Sequence, residues 1–123
     1  MLDISMFREH SEVIRADHDR RGLSHEAIDE VIRLDEEWRK ARYEVDQLRK
    51  ARNDAARGIA GAKKAGDSEA VDKILAEVAD IGSRIDELSE LSDDYLAKRD
   101  VLRMSIPNIL HDAVPIGEDD QKN

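Results

Sequence analysis

With 123 residues, 40% of them charged and only 3% aromatic, and a net charge of −9, the chain is limited to one domain and cannot build a thick globular core. The absence of cysteine excludes a disulfide framework or a thiolate metal site and is consistent with a reducing compartment. No apolar run approaches the ~20 residues that span a bilayer, and the acidic N-terminal stretch does not read as a signal or transit peptide, so a soluble, cytoplasmic protein with no membrane partner is expected.

In chain order, Asp3 is placed to cap a first short helix over about residues 3–21, with Ile4, Phe7, Val13 and Ile14 on one face. It should end near Arg21 and Gly22, where glycine tolerates the left-handed conformation. Ser24 then caps a long helix over about residues 24–65. Gly66 ends that helix, and Asp67 or Ser68 caps a returning helix over about residues 67–106. Pro107 stops the returning helix, because the residue before a proline is pushed out of the helical region. Residues 107–123 hold both prolines, Gly117 and a polar end, with no periodicity. They are expected to form an extended connector leading on to further chain.

The register of the two long segments specifies how they pair. Steps of three and four through the first give Val31, Leu34, Trp38, Ala41, Val45, Leu48, Arg52, Ala55, Ile59 and Ala62, all apolar except Arg52. The second gives Val71, Ile74, Val78, Ile81, Ile85, Leu88, Ser92, Tyr95, Arg99 and Leu102. Folded back on itself, the chain sets Ala62 against Val71, Leu48 against Ile85, Val45 against Leu88 and Val31 against Leu102, each pair of numbers summing to 133. A 3-4 alternation turns one stripe of each helix toward a partner, and a short connection makes that partner the antiparallel neighbour. The expected fold class is therefore all-α, a long antiparallel two-helix coiled-coil hairpin with a short N-terminal helix packed at its base. Residues 1–106 form the helical arm. A seam one residue wide has no interior pocket in which to desolvate a substrate. An arm of roughly 50 Å, at ~1.5 Å per residue, reaches rather than catalyses.

Charge is unevenly shared between the two helices. Residues 39–64 carry nine Lys or Arg against three acids, a local balance of +6, whereas residues 67–94 carry two against ten, a balance of −8. With Val31 as heptad position a, Arg42, Arg49 and Lys63 fall at e, and Lys50, Arg57 and Lys64 at f. Such a stripe suits repeated backbone phosphates, where each bound cation releases a condensed counterion. Taken alone, the stripe reads first as salt bridging to the acidic returning helix. Lys63 and Lys64 would offset the negative end of the helix dipole. Arg52 would serve as a register-fixing polar residue whose stem packs while its head reaches water.

No catalytic constellation accompanies the stripe. His10, His18, His25 and His111 are scattered and read as surface residues, and His25-Glu26 lacks the second histidine of a zinc-protease helix. The stretch Gly58-Ile-Ala-Gly61-Ala-Lys63-Lys64 lies inside a helical pattern rather than after a strand, with the wrong spacing for a Walker motif. The chain by itself is not expected to be an enzyme, and no catalytic, cofactor-binding or metal-ligating residue is assigned.

Met1-Leu2-Asp3, Phe7-Arg8, Val13, Arg15 and Arg21-Gly22 resemble the opening helix of seryl-tRNA synthetases, and Arg52-Asn53 resembles that family's first long helix, in a resemblance that covers the whole chain. Ser105-Ile106-Pro107-Asn108-Ile109, His111 and Val114-Pro115-Ile116-Gly117 are similar to the passage from arm to catalytic domain. Ser11 stands where many members have proline, a departure confined to one turn. The resemblance implies an arm that binds the long variable arm of serine tRNA, with Arg42, Arg49, Lys50, Arg52, Asn53, Arg57, Lys63 and Lys64 as the tRNA-binding candidates. It also implies a class II serine-tRNA ligase as the parent, a homodimer through its catalytic domain, where serine is activated with ATP and Mg²⁺. The isolated arm would hold no cofactor, be inactive and be a monomer. The alternatives are a stand-alone coiled-coil protein-interaction hairpin, which would have no need of the connector, and a free-standing RNA-binding paralogue of the arm. Arginine outnumbers lysine thirteen to seven and aspartate outnumbers glutamate seventeen to twelve, a balance that suits a salt-rich cytoplasm.

Overall fold

The computed structural model describes residues 1–108, so all of the expected connector after Asn108 lies outside the described residues. Four helices follow one another, α1 (Ile4–Glu9), α2 (Ser11–Arg21), α3 (Glu26–Lys64) and α4 (Ser68–Ser105), with no strand among the described residues. The chain is all-α, and α3 and α4 pack against each other as a hairpin.

The helix ends follow from the local chemistry of the sequence. Asp3 accepts a hydrogen bond from the Ser5 amide at 2.9 Å, and Ser24 Oγ accepts one from the Glu26 amide at 3.0 Å. Gly22 and Gly66 both have φ of 71°, a conformation that a Cβ disfavours. Each closes a Schellman turn: Leu23 N–H donates to His18 O and Gly22 N–H to Asp19 O, and likewise Asp67 to Ala62 and Gly66 to Lys63. Asp67 then accepts from the Ala70 amide at 3.0 Å, capping α4.

The expected first helix is divided. His10 adopts φ −135° and ψ 37°, ending α1, and its carbonyl accepts from the Val13 amide to start a new ladder for α2. Apolar periodicity does not register this break, because Phe7 and Ile14 keep a helical spacing across it and both are buried. Val13, expected on the same face, is instead 44% exposed.

By compactness the chain divides into two units, one of residues 1–36 with the described residues from 95 on, the other Glu37–Asp94. The first unit has a core of Leu2, Phe7, Ile14, Ile28, Val31 and Ile106, with Leu102 packed against it. Beside the core lies a buried ionic network. Asp35, 1% exposed, accepts two hydrogen bonds from Arg8, both at 2.8 Å, and one from Arg99 at 2.7 Å. Hydrogen bonding to Asp35 raises the Arg8 pKa above its ordinary value, against the opposing effect of burial. Arg103 donates to the Leu2 carbonyl at 2.7 and 3.2 Å and to Asp100 at 2.7 Å, tying the end of α4 to the chain's start. Burial pushes the Asp100 carboxyl up, but hydrogen bonds from Arg103 and Arg99 outweigh it and hold the group below the usual range. The same balance holds Asp17 down against its own burial, through Arg20 and Arg21. His18 corrects the expectation of four surface histidines: it is 3% exposed, on the same face of α2 as Ile14 four residues earlier.

In the second unit Val45, Ile85 and Leu88 are buried, with Leu48 and Ile81 packed against them, as the register requires. From Ala55 to Ala62 and from Val71 to Val78 the seam positions are half-buried. A Cβ on Gly58 would lie 3.3 Å from Ile74 Cδ1, so this glycine allows close approach of the helices. Leu48→Ala is expected to destabilise the chain by ~2 kcal/mol in urea unfolding, near the low end for large-to-small core changes because Leu48 is half-buried. Ala56→Ser, at an exposed position, should stay within ~0.5 kcal/mol. Equal losses for the two variants would refute the register.

Candidate nucleic-acid interface

The heptad that turns Val45 and Leu48 into the seam turns positions e and f of α3 to solvent. Arg42, Arg49, Lys50, Arg57, Lys63 and Lys64 are all exposed, as is Asn53, whereas Arg52 at its seam position is half-buried. Seven residues of helix rise ~10.5 Å, which sets the interval between cations in one heptad column.

Pairing with the acidic helix does not account for the stripe. Among the described residues, Arg42, Lys50, Arg52, Lys63 and Lys64 form no ion pair, while Arg49 and Arg57 pair within α3, with Asp46 at 3.8 Å and Asp54 at 2.9 Å. Exposed pairs of this kind contribute only a few tenths of a kcal/mol, so both guanidiniums can exchange partners at little cost. A contact that does cross between the helices runs in the opposite sense: Arg84 of α4 reaches Glu44 of α3 at 3.9 Å. The ten acids of residues 67–94 therefore act on the stripe as a screened background rather than as direct partners.

Two parts of the stripe have their own surroundings. Arg42 and Arg49 line a shallow groove with Val45, Ser89, Ser92 and Asp93, in which the buried Ser92 hydroxyl has no hydrogen-bond partner among the described residues. Lys63 borders a depression at the turn with Ala62, Gly66, Asp67, Ser68, Val71 and Asp72. Lys64 lies beside it in the last turn of α3. The groove and the depression are separate, and Lys50, Arg52, Asn53 and Arg57 line neither.

One residue of this face escapes a search for cations. Tyr43 stands at position f, two turns before Lys50, and is 66% exposed. The heptad column itself is the signal that finds it. Among the described residues no group of His, Cys, Asp or Glu could hold a metal ion, and no helix is long and apolar enough to cross a membrane. His10 lies 3.7 Å from Glu12 and His25 lies 2.8 Å from Asp19, both on the other unit; His111 is outside the described residues.

The model of the seryl-tRNA synthetase N-terminal domain family matches residues 1–110. The chain is 39% identical over 125 residues to the serine-tRNA ligase of Thermococcus onnurineus (strain NA1), covering 100% of this chain and 27% of that protein. To the serine-tRNA ligase of Haloquadratum walsbyi (strain DSM 16790 / HBSQ001) it is 30% identical over 123 residues, with the same coverage. The crystal structure of seryl-tRNA synthetase from Pyrococcus horikoshii complexed with ATP superposes with a TM-score of 0.84 at 38% identity, over 98% of this chain and 27% of that one. The chain thus spans 27% of the length of these relatives.

Proposed function

Because the chain belongs to the seryl-tRNA synthetase N-terminal domain family, we propose that it is the tRNA-binding arm of a serine-tRNA ligase and recognises the long variable arm of serine tRNA. The observation that carries this reading is the exposed stripe of α3, where Arg42, Lys50, Lys63 and Lys64 have no ion pair among the described residues. Arg49 and Arg57, held only by weak pairs within α3, join them as phosphate ligands, with Asn53 as a neutral donor beside them. Arg52 contributes its head from the edge of the seam. A-form RNA has a deep, narrow major groove that side chains do not read, so a row of cations recognises the shape and backbone of a duplex rather than its bases.

Residues 1–106 act as the arm, and residues 107–123 lead into a class II catalytic domain. That domain, in the remaining length of the relatives, carries serine activation with ATP and Mg²⁺, and through it the parent forms a homodimer in the cytoplasm. This chain supplies binding and placement of the tRNA; the isolated arm is monomeric. No observation favours a protein-interaction hairpin over this reading.

Binding of the chain to serine tRNA and to a tRNA with a short variable arm, at one fixed salt concentration, tests the proposal. Tighter binding to the long-armed tRNA by tenfold or more is expected, and equal affinities would refute recognition of the variable arm.

A further inference from the structure

The chain has four aromatic side chains, and three of them are at least partly covered: Phe7 is buried and Trp38 and Tyr95 are half-buried. Tyr43 alone is exposed, at 66%, and its hydroxyl has no hydrogen bond among the described residues. Neither packing nor a polar partner explains an aromatic ring there. Its position does suggest a use. It shares heptad column f with Lys50, Arg57 and Lys64, all exposed, follows Arg42 directly, and has Arg39 and Lys40 one turn before it on the same helix surface.

We propose that Tyr43 is a stacking platform for an unpaired nucleotide of the RNA held by the α3 stripe, an inference that rests on the reading of this chain as a tRNA-binding arm. Cations and an aromatic ring on one surface are the two parts of a site that tracks a nucleic-acid backbone and receives a base. A duplex keeps its base faces stacked inside, so a protein ring reaches one only where a nucleotide is splayed out of a loop, bulge or junction. The stripe therefore meets backbone, and Tyr43 marks where the bound RNA departs from a continuous helix. Arg42 beside Tyr43 in the chain and Lys50 two turns on hold the backbone of that stretch while the base of the splayed nucleotide lies on the phenol.

Stacking and phosphate contact separate by their response to salt. Tyr43→Ala removes a ring and no charge, so affinity for serine tRNA should fall roughly 5- to 100-fold, with d log K/d log[salt] unchanged. Tyr43→Phe should keep parental affinity. Alanine is a stronger helix former than tyrosine and the site is exposed, so helicity by circular dichroism should not fall. In Tyr43→Trp, the added fluorescence relative to the parent chain should be quenched by serine tRNA and not by a fully paired RNA hairpin. Parental affinity in Tyr43→Ala, an equal loss in Tyr43→Phe, or equal quenching by the paired hairpin would each overturn the stacking role while leaving the arm reading intact. Failure of the parent chain to bind serine tRNA at all would overturn both.

Discussion

Reversing Arg49, Lys50, Arg57, Lys63 and Lys64 to glutamate is expected to weaken binding to serine tRNA by roughly two to three orders of magnitude at low salt, the scale expected when several phosphate contacts are lost together. The variant should stay folded. All five residues are exposed; three have no ion pair among the described residues, and the other two pair within their own helix, at 3.8 and 2.9 Å. The losses on the folding side are therefore two weak pairs and some added repulsion toward the acids of α4, both screened at moderate salt. Each lost phosphate contact should also reduce the magnitude of d log K/d log[salt] by ~0.7–0.9. Circular dichroism, thermal melting and a salt titration of binding on one preparation separate the two effects. A folded variant with parental affinity and slope would move the RNA contact to another face; a collapse of helicity would show that these cations hold the hairpin together.

The largest stability effect is expected at Asp35. Asp35→Ala should destabilise the chain by about 3–5 kcal/mol, the range found when one partner of a buried ion pair is removed. Asp35 is 1% exposed and its carboxylate receives hydrogen bonds from Arg8 and Arg99. Arg8, with its side chain 31% exposed, can turn to water after the change, whereas Arg99, at 7%, cannot and keeps Asp100 at 2.9–3.0 Å. The penalty thus falls on the buried Arg99 guanidinium, which keeps Asp100 but loses its second carboxylate. Asp35→Leu combined with Arg99→Leu should recover much of the stability, because apolar replacement of an entire buried pair is often neutral. Urea unfolding of the single and double variants gives the coupling. A loss below ~1 kcal/mol in Asp35→Ala would mean that the network is ornamental.

The relation of sequence to structure differs between the two units. Val45, Leu48, Ile81, Ile85 and Leu88 meet as the shared 3-4 register requires, since in a two-helix seam each apolar contact is fixed by spacing along one helix and by the length of one turn. Gly22 and Gly66 end their helices with positive φ, and Asp3, Ser24 and Asp67 cap, because capping is chemistry between neighbours in the chain. The stripe at positions e and f was legible for the same reason. Its freedom from the acidic helix was not, since which acids come within reach of which cations depends on side-chain directions that a charge count omits. Tyr43 was legible as a column-f residue, yet its exposure becomes informative only when the other three aromatics are seen to be covered.

What the sequence determined alone is everything set by repeats of three, four and seven residues: two paired helices, their register, their ends and the solvent-facing cations. Only the tertiary structure decided the first unit. Arg8 reaches Asp35 across 27 positions, Arg99 reaches Asp35 across 64, and Arg103 reaches the Leu2 carbonyl across 101. No periodicity connects such residues. They meet because a small core of Leu2, Phe7, Ile14, Ile28, Val31 and Ile106 brings the chain's start against the ends of the two long helices. Once water is excluded there, a buried charge must find its opposite wherever in the sequence that lies.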